Sequence, residues 1–423
     1  MSSLEVVRDL LWNNIRVERD ALELVDTPAV QRLRYVRQLG HAFLVYPGAT
    51  HTRFEHALGA YHLARRALAQ LEESGVAAAV DAGARRHLPL AALLHDIGHY
   101  PFSHALEEAG LPGHETLAAH HLGRGPLAET LDRLGVPAQD LLALIQGSSA
   151  APLGGLIAGS LDVDKLDYLS RDAAMCGVPY GVIDVERLLA SLTVANGPSG
   201  GPTLALHEKG LAALESLLFA KYQMYRNVYW HHAVRSATAM FKRLVRRAIA
   251  AGLLTPVAVA DETDDGLIRG LLERDTTGLA RALRERRLAK RALDVLATEL
   301  PAGTANWPSA DPDLCERVED RLAREVGLAP GELFLDFPTK ANMLELDLPL
   351  VRRGGQVTHL GGARAALGLP RVAAELYRSA RHLRVFVLRP ATLPAKAVIE
   401  LVTWPRDEVA ARVGGERSLL NAP

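Results

Sequence analysis

The stretch FEHALGAYHLARRALAQLEES, beginning at Phe54, places apolar residues at three- and four-residue spacings, the period of a helix with one buried face. The same period runs through VQRLRYVRQL, LAALLHDIG, DKLDYLSRDAAM and KGLAALESLLFAKYQMYRNVYW. Most of the first 300 residues therefore read as helices, punctuated by Gly and Pro in YPGAT, GLPGHE and GVPYGV. A chain patterned this way packs helix on helix. The pattern is interrupted by titratable rings at core-like positions. HTRFEHALGAYHLARRAL and LAALLHDIGHYPFSH together hold six of the sixteen histidines, several beside acids.

Two regions depart from the helical period. LEVVRDLLWNNIRV, near the start, has β-branched residues around a polar turn and reads as a short hairpin. Near the end, ELFLDFP (332–338), MLELDLPLV (343–351), LRVFVLRP (383–390) and KAVIELVTW (396–404) read as strands, with PRVAAELYRSARHL an amphipathic helix among them. The expected layout is a short N-terminal β/loop element over 1–30, a helical core over 31–250, and a helical and β-strand region over 251–423. The fold class is mainly α with a small α+β C-terminal portion.

Composition narrows the function. Apolar residues are 48% and charged residues 23%, an ordinary globular balance. A net charge of −1 argues against broad attraction to nucleic acid or anionic lipid, and the basic run RALRERRLAKRAL (281–293) reads as a solvated helix face. Two distant cysteines, Cys176 and Cys315, form no disulfide framework. With no secretory leader and no membrane-length apolar run, the expectation is a cytoplasmic protein without membrane partners.

His95 and Asp96 end an apolar helix, so both are partly desolvated, and a divalent cation is one group that compensates such a pair. His99 follows one turn later, on the same face if the helix continues. His51 and His56 lie about 140° apart around a helix and do not both face one ion, so His56 is taken as the ligand and His51 as a loop residue. Asp164, Lys165, Tyr168 and Asp172 fall within one helical stripe of about 100°.

On HTRFEH, HDIGHYPFSH and DVDKLDY, the chain resembles the HD-domain metal-dependent phosphohydrolases, whose helical fold is phosphodiesterase-like. It is most similar to the deoxynucleoside triphosphate triphosphohydrolases. The likeness runs from Asp26 to Tyr229, with a weaker echo in RRLAKRAL and the strand-rich tail. It implies a divalent ion (Mn, Fe, Zn, Ni or Mg) held by His56, His95, Asp96 and Asp164. It implies catalytic roles for His99, His104 and His114, with His104 the proton donor and Glu107 an orienting acid. It implies a phosphate contact from Arg53, and Lys165 and Lys221 serve as further phosphate contacts. Gln38 and Leu39 then line the sugar and base pocket, Tyr168 and Asp172 contact the 3′-hydroxyl, and Tyr229 crowds the 2′ position. The implied reaction releases deoxynucleoside and intact triphosphate, in a dimer or tetramer. Another HD phosphohydrolase acting as nucleotidase or phosphodiesterase, or a non-catalytic nucleotide- or nucleic-acid-binding regulator, is the alternative. The chain departs from the resemblance at DLLWN (9–13), where nucleotide-regulated relatives carry DPxHG; Asp26, Arg32 and Arg34, which match other parts of that regulatory site, remain.

Overall fold

The computed structural model describes residues 4–76, 82–197, 200–301, 303–340, 343–344, 346–361 and 369–420. Residues 1–3 and 421–423 of the expected outer segments, and Glu345 of the strand expected at 343–351, lie outside them.

The predicted hairpin is present. Strand β1 (Glu5–Asp9) pairs antiparallel with β2 (Asn13–Val17), Glu5 opposite Val17 and Asp9 opposite Asn13. At its tip the Asp9 carboxylate accepts the N–H groups of Leu11 and Trp12, both at 2.9 Å. Ile15 and Val17 are buried and fasten the hairpin to the helical body.

Three helices build the site. Arg53–Glu73 starts where Glu55 accepts the Thr52 N–H at 2.6 Å, and its inner side is buried from Phe54 to Leu71. Ala82–Leu94 packs along it, as does Val163–Cys176, whose N-cap Asp162 accepts the Lys165 N–H at 2.9 Å. The second of these helices stops at Leu94, so His95 and Asp96 sit in the turn beyond it and His99 is not on a continued helical face. The 53–73 and 163–176 helices touch at Gly59, where a Cβ would lie 1.9 Å from an Asp167 carboxylate oxygen.

Strands also occur where the sequence reads as helix. β3 (Leu192–Asn196) and β4 (Pro202–His207) form a hairpin that β7 (Pro349–Val351) and β8 (Val357–His359) extend into one sheet, in the order β3-β4-β7-β8. β5 (Lys290–Leu296), β9 (His382–Val387) and β6 (Leu333–Asp336) form the second, in the order β5-β9-β6. The basic run 281–293 is thus helical only over its first four residues and enters β5 at Lys290. KAVIELVTW is a helix over Ala395–Leu401, not a strand. Its buried residues, Ala397, Val398, Leu401 and Val402, recur at helical spacing, and this packing outweighs their β-branching. Leu369–Ala380 is the expected helix.

The chain is mainly α, with a two-stranded hairpin at its start, one sheet that joins β3 and β4 to strands of the C-terminal part, and one sheet wholly within that part. Tyr100 and Phe102, from the histidine-rich loop, pack against Phe241 of the 232–250 helix and share its apolar cluster with Phe334 and Phe386. The far end of the chain therefore supports the loop that carries His99 and His104. Among the described residues no helix is long and apolar enough to cross a membrane.

Candidate metal and phosphate site

The three helices bring His56, His95, Asp96 and Asp164 together. His56 Nε2 lies 3.2 Å from His95 Nε2, 3.0 Å from Asp164 Oδ1 and 3.5 Å from Asp96 Oδ2. His95 Nε2 lies 3.3 Å from Asp96 Oδ1 and 3.6 Å from Asp164 Oδ1. The other nitrogen of each ring is committed: His95 Nδ1–H donates to the Ala92 carbonyl at 2.8 Å, and His56 Nδ1–H to Asp167 Oδ2 at 2.8 Å. Both Nε2 lone pairs then face one another and two carboxylates. Only a cation or a shared proton relieves that crowding of acceptors. Burial opposes charge on His56, yet hydrogen bonds to Asp164 and Asp167 and the Asp96 carboxylate raise it to about 10. The centre draws positive charge strongly.

Ring geometry at this cluster fits a shared ion. Two imidazoles on one tetrahedral ion, with bonds of about 2.1 Å, have centres about 5 Å apart. His56 and His95 stand 5.1 Å apart at 76°. Their donor set fits a divalent ion, and its nitrogens favour Fe, Mn, Zn or Ni over Mg.

His99, His104, Glu107 and His114 form the second cluster. Glu107 accepts from His104 Nδ1 at 3.1 Å and from His114 Nδ1 at 2.8 Å, which leaves both Nε2 atoms for other partners. Burial would raise Glu107, but the two histidines hold it well below the ordinary carboxylate range. His99 is buried, its Nδ1 lies 3.2 Å from Asp96 Oδ1 without a hydrogen bond to either ring nitrogen among the described residues, and its ring centre lies only 3.7 Å from that of His114. That stacking is too close for shared coordination. Burial, then Arg53 and the neighbouring histidines, push His99 well below its usual range. The cluster is a second group of potential donors, in which His99 and His114 do not share one ion.

Of the expected phosphate contacts, Arg53 is 3% exposed and bound to Asp96, with its Nε donating to Ser103 Oγ at 3.0 Å. Lys165 is held by Asp162 and by the Gly159 carbonyl at 2.8 Å. Each of these cations is thus committed within the chain. Lys221 is buried with no such partner among the described residues, and burial together with Lys165 and Lys340 lowers it to about 7. Lys340, whose Nζ lies 5.7 Å from the centre of the Tyr225 ring, adds a further cation that no local pattern marks.

At the other end of the 163–176 helix, Asp172 is 1% exposed and engaged on both oxygens, by His51 Nε2 at 2.8 Å and by the Tyr229 hydroxyl at 2.7 Å. Tyr229 closes a π-helical turn, Tyr225–Tyr229, of the kind found at functional sites. Tyr168 stands with its ring centre 6.5 Å from that of His56. Gln38 is buried with its Oε1 unpartnered, and Leu39 beside it is half-buried.

Three partners were not legible in the sequence: Asp167 behind His56, His51 as a partner of Asp172, and Lys340. Asp167 is one of the acids in DVDKLDY, but its alignment with His56 depends on helix packing. Arg32 reaches back onto the chain. Its guanidinium donates to the carbonyls of Ile97 at 2.9 Å, His99 at 3.0 Å and Glu262 at 3.0 Å. Arg34 stacks on Phe54 at 3.5 Å.

Residues 53–172, which hold all four converging donors, match the HD domain, and residues 183–368 match the HD-associated region. The chain carries an HD domain followed by an HD-associated region. This HD-domain protein is 34% identical over 265 residues to the uncharacterized protein MJ1154 of Methanocaldococcus jannaschii, covering 63% of this chain and 54% of that protein. It is 29% identical over 253 residues to a Dictyostelium discoideum homolog of the deoxynucleoside triphosphate triphosphohydrolase SAMHD1, covering 56% of this chain and 48% of the other. The match thus spans about half the length of these curated relatives. A phosphohydrolase from Bacteroides thetaiotaomicron shares the fold, with a TM-score of 0.71 at 21% identity over 91% of this chain and 100% of that one.

Proposed function

We propose that this HD-domain protein hydrolyses deoxynucleoside triphosphates to deoxynucleoside and triphosphate. The observation that carries the reading is the pair of features on one helix: Asp164 among the converging donors, and Asp172, eight residues on, held by Tyr229 and His51. A phosphate-processing end and a sugar-recognising end are thereby joined. Resemblance to relatives named as deoxynucleoside triphosphate triphosphohydrolases supports the same substrate.

In this reading His56, His95, Asp96 and Asp164 hold the divalent ion, which polarises a phosphoryl oxygen and acidifies a water. Arg53, fixed by Asp96 and Ser103, brings positive charge to the α-phosphate. Lys165 and Lys221 face the rest of the polyphosphate. His104, oriented by Glu107 and the more exposed ring of its cluster, donates a proton to the departing 5′-oxygen, while His99 and His114 contact phosphate. Asp172 and Tyr168 receive the 3′-hydroxyl, the Tyr229 ring leaves no room for a 2′-hydroxyl, and Gln38 and Leu39 border the base. A homo-oligomer, dimer or tetramer, belongs to the proposal.

Chromatographic analysis of products from each dNTP and rNTP, with Mn or Mg, tests it. Deoxynucleoside plus triphosphate, preferred over the ribonucleoside reaction, is the expected outcome. Stepwise phosphate release, phosphodiester cleavage or no turnover refutes it in favour of another HD phosphohydrolase or a binding role.

A further inference from the structure

We infer that the tip of the β1–β2 hairpin positions the metal ligand His56, with Asp9 and Trp12 acting through Asp167 and Arg171. The inference rests on the metal reading above and concerns residues that lie outside the donor set.

Asp167 is fully buried, and its carboxylate accepts four hydrogen bonds. They come from His56 Nδ1 at 2.8 Å, Arg171 Nε and Nη2 at 2.9 Å each, and the Trp12 indole N–H at 2.6 Å. A carboxylate offers about four acceptor positions, so this one is saturated and its orientation is set by its donors. Arg171 is 1% exposed and has a second face to satisfy; its Nη1 donates to Asp9 Oδ2 at 2.8 Å. Two of the four donors to Asp167 thus come from Arg171, which Asp9 steadies, and a third comes from Trp12. The same Asp9 carboxylate holds the Leu11 and Trp12 N–H groups, so the turn and both contacts form one unit.

A carboxylate behind a metal-bound imidazole fixes the ring's tautomer and orientation and raises its donor strength. Loss of such an outer partner typically weakens metal binding about 10- to 100-fold. If the hairpin tip lifts away, Asp167 loses the indole, and Arg171 is left with one carboxylate instead of two. The departure of this tip from the regulatory motif of relatives is then explained by a different duty: DLLWN supplies an acid and an indole to the outer shell of the site.

The experiment measures the Mn2+ dissociation constant of the full chain from the EPR signal of the free aquo ion. Wild type is compared with Trp12→Phe, Asp9→Asn, Leu10→Ser and His56→Ala, and the melting midpoint of each metal-free protein is recorded. Trp12→Phe keeps the aromatic bulk and removes only the N–H, and about tenfold weaker binding is expected with the metal-free fold intact. Leu10, on the same turn and 65% exposed, is expected to bind as wild type. Should Trp12→Phe unsettle the fold, Asp9→Asn, which keeps its side-chain volume, carries the measurement. Binding lost in His56→Ala but within twofold of wild type in both hairpin variants overturns the inference and leaves the metal reading standing. A wild type that takes up no ion, or a His56→Ala that binds undiminished, overturns both.

Discussion

The carboxylate of Asp264, the first residue of the Asp264–Leu272 helix, accepts the backbone N–H of Phe102 at 2.8 Å. Its other oxygen accepts the N–H and a guanidinium N–H of Arg37, both at 3.1 Å. Phe102 and Ser103 have φ of 59° and 60°, so two successive side-chain-bearing residues are left-handed in the loop between His99 and His104. Each such residue costs about 1–3 kcal/mol and persists only where neighbours over-determine it. Asp264 is one of those neighbours, and Gly40 another: a Cβ there would meet the Phe102 carbonyl oxygen at 2.8 Å. From Arg37 the chain of bonds continues to Ser103 Oγ at 2.7 Å, to Arg53 and so to Asp96. The HD-associated region therefore holds the loop between His99 and His104 in shape.

Burial raises Asp264 to about 6, against the hydrogen bonds that lower it. A carboxyl whose pKa is higher in the folded than in the unfolded chain binds more protons when folded. Its contribution is therefore present at pH 4 and lost as pH rises through about 6. The stability difference between wild type and Asp264→Asn is expected to fall by about 2 kcal/mol between pH 4 and 7 in denaturant titrations. A pH-independent difference excludes this role.

His104 is the most exposed member of its cluster, its side chain 48% accessible, so replacing it leaves the core untouched. His104→Ala is expected to lower kcat by about 10²- to 10⁴-fold with the melting temperature unchanged. Single-turnover kinetics on a dNTP would read this directly, and a loss below tenfold assigns the proton to another group.

Tyr229 donates its hydroxyl to Asp172, and in the proposed function its ring crowds the sugar. Tyr229→Ala is expected to raise the rNTP-to-dNTP ratio of kcat/KM by about 10- to 100-fold, whereas Tyr229→Phe keeps the ring and the ratio. An unchanged ratio in the alanine variant places sugar discrimination elsewhere.

Lys221 is lowered to about 7 by burial and by Lys165 and Lys340. It is charged below that pH and neutral above it, so polyphosphate affinity should decline as pH climbs. KM is expected to rise by up to about tenfold per pH unit above 7, and Lys221→Arg, which stays charged, should flatten the profile. A wild-type profile level from pH 6 to 9 counts against Lys221 as a phosphate contact.

The helical body was legible because its period is local: 53–73 and 163–176 display their buried faces within two or three turns. The donors His56, His95, Asp96 and Asp164 were legible for a different reason, since motif spacing and family resemblance mark them without any view of packing. β3 and β4 escaped because a short hairpin between helices carries little alternation. The helix at 395–401 reads as a strand because Val398 and Ile399 favour strands in isolation. Lys165 and Arg53 were legible as cations, but the acids that engage them were not.

The sequence by itself determined which residue types gather: a helical scaffold with imidazoles and carboxylates set at buried positions, and the family that such motifs belong to. Tertiary structure alone decided which of them touch. His56 meets Asp167 across 111 residues, Trp12 meets the same carboxylate across 155, and Phe102 meets Asp264 across 162. A local period of 3.6 residues sets which side of a helix is buried. The register in which two helices lie together depends on the shapes of both, as the near-contact at Gly59 shows, and no single segment contains that information.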